Sequence, residues 1–332
     1  MKVFVTGGTG LVGRHVIAAL RERAYGVRAL ARSDTAAADL RAQGAEPVRG
    51  SLGDGRGLGE AIAGSDAVVH AAAVLLSGGS WYAWHAANVV GTETVGRAAA
   101  RAGARMVYLS SVAVYGRRMT YDGGPGSVDE DFGLDRPSYP GDFYARSKRE
   151  AELALWRVAE ETGLKAVALR PCVIYGEWDR NFAPRVARLV RRGLAPLIGP
   201  GDNALSVVYA GNVAAAVLAA LDRGDVTGHF NITNDGVVTQ RQFLERLAAG
   251  LGVPARWIPV PHALAWGGAR LWDATVGALA GWAGLLSARS SVQLLASVNP
   301  YTSARAQRVL GWRPIVPALD AVERTCRFFR AR

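Results

Sequence analysis

Short apolar runs alternate with amphipathic stretches through the first half of the chain. "KVFVT" predicts a strand, "LVGRHVIAALRERA" a helix, "GVRALA" a strand and "AAADLRAQ" a helix. Next come "AEPVRG", a helix near residues 57–63, a strand in "AVVHAA", a long helix from about Trp81 to Arg101 and a strand in "RMVYLS". A helix around Tyr144 and a sixth strand, "KAVALR", follow. Continuous apolar strands bounded by helices predict an α/β fold, a doubly wound parallel sheet covered on both faces.

The pattern then changes. "GGPGSVDEDFGLDRPSYPGD" (Gly123–Asp142) is a loop rich in Gly, Pro and Asp, of a length that goes with function or mobility. Beyond Gly176, short helices mix with Pro-rich connections such as "IPVPH", while "SVVYAGNVAAAVLAAL" predicts a helix returning to pack on the sheet. The expected organisation is a first domain over 1–176, completed by about 205–232, interleaved with a smaller region over 177–204 and 233–332. "WGGARLWDATVGALAGWAGLLSA" carries Trp266, Trp272 and Trp282, with 15 uncharged residues from Ala274 to Ala288. A membrane span needs roughly 18–20 such residues. A core helix, a lid over an apolar substrate and a helix at a membrane interface all fit this segment.

Composition changes this picture little. The 332 residues, half of them hydrophobic, are enough for one large domain or two coupled ones. The chain begins "MKVFVTGG", already a strand and a glycine turn, which leaves no room for a secretory signal. Cys172 and Cys326 are the only cysteines and lack metal-ligand spacing, so no metal and a reducing, cytoplasmic location are expected. The formal charge of +11 is unusual. It admits nucleic acid, an anionic membrane surface or a phosphate-bearing ligand as partner. The arginines are spread and no basic stretch is interleaved with aromatics, so nucleic acid is not expected. Arg185, Arg188 and Arg192 share a helical face, which reads as a solvated surface. A peripheral membrane contact through 262–288 and a homodimer stay open.

Candidate chemistry begins with "VTGGTGLVGRHV", which sets Gly7, Gly10 and Gly13 between the first strand and the first helix. Glycine permits the tight turn and the approach of backbone N–H groups to a pyrophosphate at the helix N-terminus. The strand before and the amphipathic helix after are the context that gives this spacing weight. Strand two ends "RALARSD", with Ala31 where an acid would bind the ribose 2′-hydroxyl of NAD. Arg32, followed by Ser33, can grip a 2′-phosphate, which favours NADP(H) and leaves NAD(H) second.

Lysine occurs only at positions 2, 148 and 165, and Lys148 stands four residues after Tyr144. The two share a helix face about 6 Å apart at Cβ. A free phenol titrates near 10. An adjacent ammonium and an oxidised nicotinamide both favour the phenolate, which fits Tyr144 for proton transfer. Chance gives Tyr-x-x-x-Lys about once in ten such chains. Ser110 and Ser111, in "YLSSVAVYG" after the fifth strand, lie where doubly wound sheets bind ligands. A hydroxyl there can bond a substrate carbonyl or cap a turn.

Together, "TGGTGLVG", "DAVVHAAA", "NVVGTETV", "LSSVAVYG", "YARSK" and "LRPCVIYG" resemble the extended short-chain dehydrogenase/reductases over nearly the whole chain, with a Rossmann domain first and a substrate-binding region after it. The resemblance implies Tyr144 as acid/base, Lys148 as its partner and ribose ligand, and Ser111 as the substrate-orienting hydroxyl. It implies cofactor contacts at Gly7, Thr9, Gly10, Leu11, Val12, Gly13, Arg32, Ser33, Ala71, Ala72, Ser110, Pro171 and Val173, with Asn88 on the helix behind the site. Where the family usually has Asp-Leu against the adenine, this chain has Ser51 and Leu52. The second half is most similar to the 3β-hydroxysteroid dehydrogenase branch, in "FNITNDGVVTQRQFLERLAAGLG", "WIPVPHALAW" and "ARSSVQLLASVNPYTSARAQRVLG". The expected function is NADP-dependent oxidation or reduction of a secondary alcohol or ketone on a steroid or long-chain 3-oxo lipid. A nucleotide-sugar epimerase holding NAD tightly is the alternative, and a non-catalytic structural subunit the third reading. Val112 and Ala113, where sugar dehydratases of this superfamily carry Asp-Glu, count against dehydration.

Overall fold

A computed structural model describes residues 1–74, 80–116, 126–135, 142–233, 236–275 and 288–330. The elements, in order, are β1 (Lys2–Thr6), α1 (Leu11–Glu22), β2 (Gly26–Ala31), α2 (Asp34–Ala42), β3 (Glu46–Arg49), α3 (Gly55–Ile62), β4 (Ala67–His70), α4 (Trp81–Trp84), α5 (Gly91–Arg101) and β5 (Arg105–Leu109). They continue with α6 (Phe143–Thr162), β6 (Ala166–Pro171), β7 (Val173–Tyr175), α7 (Ala183–Arg191), β8 (Ala195–Ile198), β9 (Val207–Tyr209), α8 (Ala210–Asp222), β10 (Gly228–Ile232), α9 (Gln240–Leu251), β11 (Trp257–Val260) and α10 (His262–Ala274). The helices Ala288–Ala296 and Ala318–Arg330 complete the described chain.

Seven strands form one sheet in the order β10-β6-β5-β4-β1-β2-β3, with every pairing parallel. Side chains alternate across it. Val3 and Val5 enter a core shared with α1 and α8, while Phe4 enters the opposite core shared with α3, α5 and α6. Because both faces are covered, every residue of β4 and β6 is buried, which explains the apolar runs Ala67–Val69 and Ala166–Leu169. Between β1 and β4 the winding order of the strands reverses, β1 to β3 running to one side and β4 to β10 to the other. This is the switch point at which doubly wound sheets bind ligands.

Two expectations needed correction, and one strand was unexpected. The single helix from Trp81 to Arg101 contains a π-helical turn, His85–Val90, between α4 and α5. The segment "SVVYAGNVAAAVLAAL" is helical only from Ala210; Val207–Tyr209 pairs in parallel with Val173–Tyr175. The seventh strand, "GHFNI", was not foreseen, since its Asn and His interrupt the apolar run. Its pairing to β6 overrides that local signal.

A third core joins Tyr175, Leu197, Phe243, Leu247 and Val322, beyond the sheet. The two-stranded β8–β11 ribbon and α9 belong to this part. α9 starts on a Thr239–Gln242 capping box and stops at Gly252, whose φ of +70° is left-handed. Of the long loop expected at 123–142, only 126–135 and Asp142 are described. Val128 there forms a bridge to Tyr301. Of 262–288, residues 276–287 lie outside the described residues. Among the described residues no helix is long and apolar enough to cross a membrane.

Candidate active site

The glycine loop lies at the switch point. Gly7 adopts φ +77°, and a Cβ there would come within 2.6 Å of Ala72 N. A Cβ on Gly13 would overlap the Gly7 carbonyl oxygen. Gly10 heads α1 with no side-chain cap, so the first N–H groups of that helix, from Leu11, Val12 and Gly13, have no side-chain acceptor. Thr6, at the end of β1, holds the neighbouring wall. Its carbonyl accepts from Ala71 N at 3.1 Å and its hydroxyl oxygen from Ala72 N at 3.3 Å. The Thr9 carbonyl accepts from Arg14 Nε at 3.3 Å, and Arg14 also pairs with Asp39. A cradle that added methyl groups would fill, under an open helix N-terminus, fits a dinucleotide pyrophosphate.

At the end of β2, Ala31 is paired with Arg49 and buried. Arg32 is exposed and forms no hydrogen bond or ion pair among the described residues. The Ser33 hydroxyl caps α2 by accepting from Ala36 N at 3.1 Å. Ser51 is exposed, whereas Leu52 packs against Gly91, where an added Cβ would lie 3.3 Å from Leu52 Cδ1.

The third group is built on α6. Asp142 caps this helix by accepting from Ala145 N at 3.1 Å, and Gly163 ends it at φ +71°. Tyr144 is half-buried in the first turn, its ring 6.4 Å from that of Trp84, edge-on. One turn on, Lys148 is buried, donates from Nζ to the Leu109 carbonyl at 2.7 Å and sits 5.1 Å from the Tyr108 ring centre. Burial pushes its ammonium down to about 8, and Glu152 opposes that shift. Ser111 opens a short 3₁₀ turn, Val112–Tyr115, its hydroxyl accepting from Ala113 N at 3.1 Å. An accepting hydroxyl still has its own proton to donate. The side chain of Ser110 is turned the other way, donating to the Glu152 carboxylate. Pro171 ends β6, paired with Ile232, and Val173 N bonds the Ser206 carbonyl at 3.1 Å.

Asn88, in the π turn, is buried and ties the site together. Its Oδ1 accepts from Val74 N at 2.8 Å, and its Nδ2 donates to Ser147 Oγ at 3.0 Å. Ser147 in turn donates to the Tyr144 carbonyl at 2.9 Å. His70, Glu152 and Arg170 were missed in the sequence. His70 is wedged between Thr6 (2.6 Å) and Thr92 (3.1 Å) and stacked on Tyr108. Burial, with Lys148 nearby, pushes its pKa down to about 3, so it is neutral at ordinary pH. Glu152 had one legible signal, its place four residues after Lys148 on the same face.

The sequence profile of the NAD-dependent epimerase/dehydratase family matches residues 3–233. The chain belongs to that family. It is an NAD(P)-dependent oxidoreductase of the extended short-chain dehydrogenase/reductase type, with relatives in the 3β-hydroxysteroid dehydrogenase branch. A 4-hydroxy-2-methyl-3-oxo-4-farnesyl-3,4-dihydroquinoline-1-oxide ketoreductase of Stigmatella aurantiaca is 34% identical over 94% of this chain and 92% of that protein. A 2-alkyl-3-oxoalkanoate reductase of Stenotrophomonas maltophilia is 34% identical over 76% of this chain and 77% of its own. A 3β-hydroxysteroid-dehydrogenase/decarboxylase of Arabidopsis thaliana is 28% identical over 97% of this chain, which spans 60% of that longer protein. In fold, the chain is similar to a UDP-glucuronic acid 4-epimerase of Bacillus cereus solved with NAD, with TM-score 0.76, 17% identity and coverage of 100% and 99% of the two chains.

Proposed function

We propose that this enzyme transfers hydride between NADP(H) and a secondary alcohol or ketone carried on a large apolar skeleton. The observation that carries the reading is the buried Lys148 ammonium, fixed on the Leu109 carbonyl one helical turn from Tyr144 and beside the turn that Ser111 opens. When bound, the reduced nicotinamide supplies the hydride. Tyr144 donates the proton that converts the carbonyl oxygen to a hydroxyl, and takes it back in the reverse direction. Ser111 donates a hydrogen bond to the same oxygen and polarises the carbonyl. Lys148 holds the ribose and favours the phenolate form of Tyr144 as the proton leaves. Gly7, Gly10 and Gly13 admit the pyrophosphate, and the exposed Arg32 meets the 2′-phosphate through its planar fork.

The substrate class rests on chemistry shared by the relatives' names: a ketoreductase for a farnesylated ring, a 3-oxoalkanoate reductase and a 3β-hydroxysteroid dehydrogenase. Each name places an oxo or hydroxy group on a farnesylated ring, an alkyl-substituted alkanoate or a steroid skeleton. Residues 177–204 and 233–332, which supply most of the third core, are the substrate-binding region in this reading. On α10, Leu264 and Leu271 are 68% and 67% exposed and Trp272 is 50% exposed. They support entry of an apolar substrate there, or peripheral contact with a membrane surface.

The test is a panel of 3-oxo steroids, long-chain 3-oxo lipids and UDP-sugars incubated with NADPH or NADH. NADPH consumption with the apolar ketones alone is expected; turnover of UDP-sugars with retained NAD would overturn the reading. Tyr144→Phe should lower kcat by at least roughly 100-fold, the scale of a lost general acid, while NADPH still binds. Full turnover in that variant would remove Tyr144 from the mechanism.

A further inference from the structure

Three side chains of α6 grip the end of β5 and the turn beyond it. Lys148 holds the Leu109 carbonyl, Glu152 accepts from the Ser110 hydroxyl, and Arg149 Nε donates to the Val114 carbonyl at 2.9 Å. Tyr144, Lys148 and Glu152 follow one another at one-turn spacing on one face. The first two face the proposed chemistry, and the third has no part in it so far.

Glu152 is completely buried, and so is its partner Arg170. Arg170 Nε donates to Glu152 Oε1 at 3.0 Å, while its Nη1 donates to the Tyr115 hydroxyl at 2.7 Å. Tyr115 donates onward to Asn231 Oδ1 at 2.8 Å, on the edge strand β10. A fully desolvated ion pair adds little net stability over apolar side chains of the same volume. Packing alone gives no reason for a carboxylate here. Its position does, because it ties Ser110 down one residue before Ser111 and stands one turn from Lys148.

We propose that Glu152 is a positioning residue for hydride transfer: held by Arg170, it anchors Ser110 and gives the buried Lys148 ammonium its counter-charge. This rests on the reading of Tyr144 and Lys148 above. The groups around Lys148 leave that role to Glu152. On β4 stands His70, neutral and deeply buried; on β5 stands Tyr108, whose phenol burial pushes far up, and the Leu109 carbonyl. On α6 itself stand Tyr144 and Glu152, and on β6 Arg170 is turned to Glu152 and Tyr115. Elsewhere on α6, Glu150 meets His85 and Glu161 meets Arg97 at half-exposed or exposed positions. Among the described residues around the ammonium, the one carboxylate is Glu152. Taking away its charge lowers the pKa of the Tyr144–Lys148 pair, whichever member releases the proton.

The experiment compares kcat, KM and the alkaline limb of the pH profile for ketone reduction by NADPH in wild type, E152Q, E152D and E152Q/R170Q. Thermal unfolding and NADPH binding serve as controls on the fold. E152Q should lose roughly tenfold or more in kcat with KM changed less than about twofold, and its alkaline limb should move down by roughly one pH unit. E152D keeps the charge and should keep the limb in place. E152Q/R170Q removes both buried charges, so it should fold while retaining the displaced limb. A folded glutamine variant with wild-type kcat and limb overturns the proposal, and so does an E152D limb displaced as far as that of E152Q. If neither glutamine variant folds, the role is structural and the proposal also falls. Y144F separates the two levels: an inactive Y144F beside an unaffected E152Q removes only the role of Glu152, whereas an active Y144F removes the catalytic assignment itself.

Discussion

At the scale of single residues, the proposed preference for NADP(H) rests on position 32. Ala31 is buried and its methyl group offers no hydrogen bond to a ribose, whereas Arg32 is exposed with no competing ion pair among the described residues. A charge-assisted bond to phosphate contributes about 1.5–3 kcal/mol. Arg32→Asp should therefore move the NADPH/NADH ratio of kcat/KM by roughly tenfold to 100-fold toward NADH. An unchanged ratio would show that Arg32 does not read the phosphate. Position 110 shows the opposite lesson. The resemblance separates its serine from Ser111 by role, but the bond of its hydroxyl to a carboxylate 42 positions away is visible only in the fold.

At the scale of elements, the β1–α1 connection sets what the backbone tolerates. Alanine inside a helix ordinarily gains about 1 kcal/mol over glycine. At Gly13 the sign reverses, because the methyl group would overlap the Gly7 carbonyl. Gly13→Ala should lower the melting temperature and weaken NADPH binding by at least roughly tenfold, as the cradle cannot close. Gly59, inside α3, is the control. A Cβ there meets nothing nearer than Arg101 Nη2 at 4.0 Å, so Gly59→Ala should stabilise the protein by about 0.5–1 kcal/mol in denaturant unfolding. The π turn at His85–Val90 is an element that periodicity alone does not reveal. One extra residue in that turn sits beside Asn88, whose amide bridges Val74 and Ser147.

At the scale of the whole molecule, the sheet buries groups that titrate. His70 lies in the switch-point region between Thr6 and Thr92, and its folded-state pKa of about 3 is far below the unfolded value near 6.5. Between those values the unfolded chain binds a proton that the folded chain excludes. This contribution to stability is complete above about pH 6.5 and shrinks as pH falls towards 3, by at most about 1.4 kcal/mol per pH unit. Urea unfolding across that window should show a shallower pH dependence in His70→Gln than in wild type. Equal slopes would mean that His70 accepts a proton without unfolding.

The parallel sheet, the tight glycine turn after its first strand and the placing of Tyr144 and Lys148 one turn apart on a helix were all legible in the sequence. Each depends on relations a few residues long: burial on both faces in an apolar run, the small size of Gly7 and Gly13, one helical turn between two side chains. The strand "GHFNI", the Ser110–Glu152 bond and the Glu152–Arg170 pair were decided by tertiary structure. Their partners lie 18 to 42 residues away or in a neighbouring strand. A buried charge is stable only where the fold delivers its counter-charge, and no local pattern encodes that meeting.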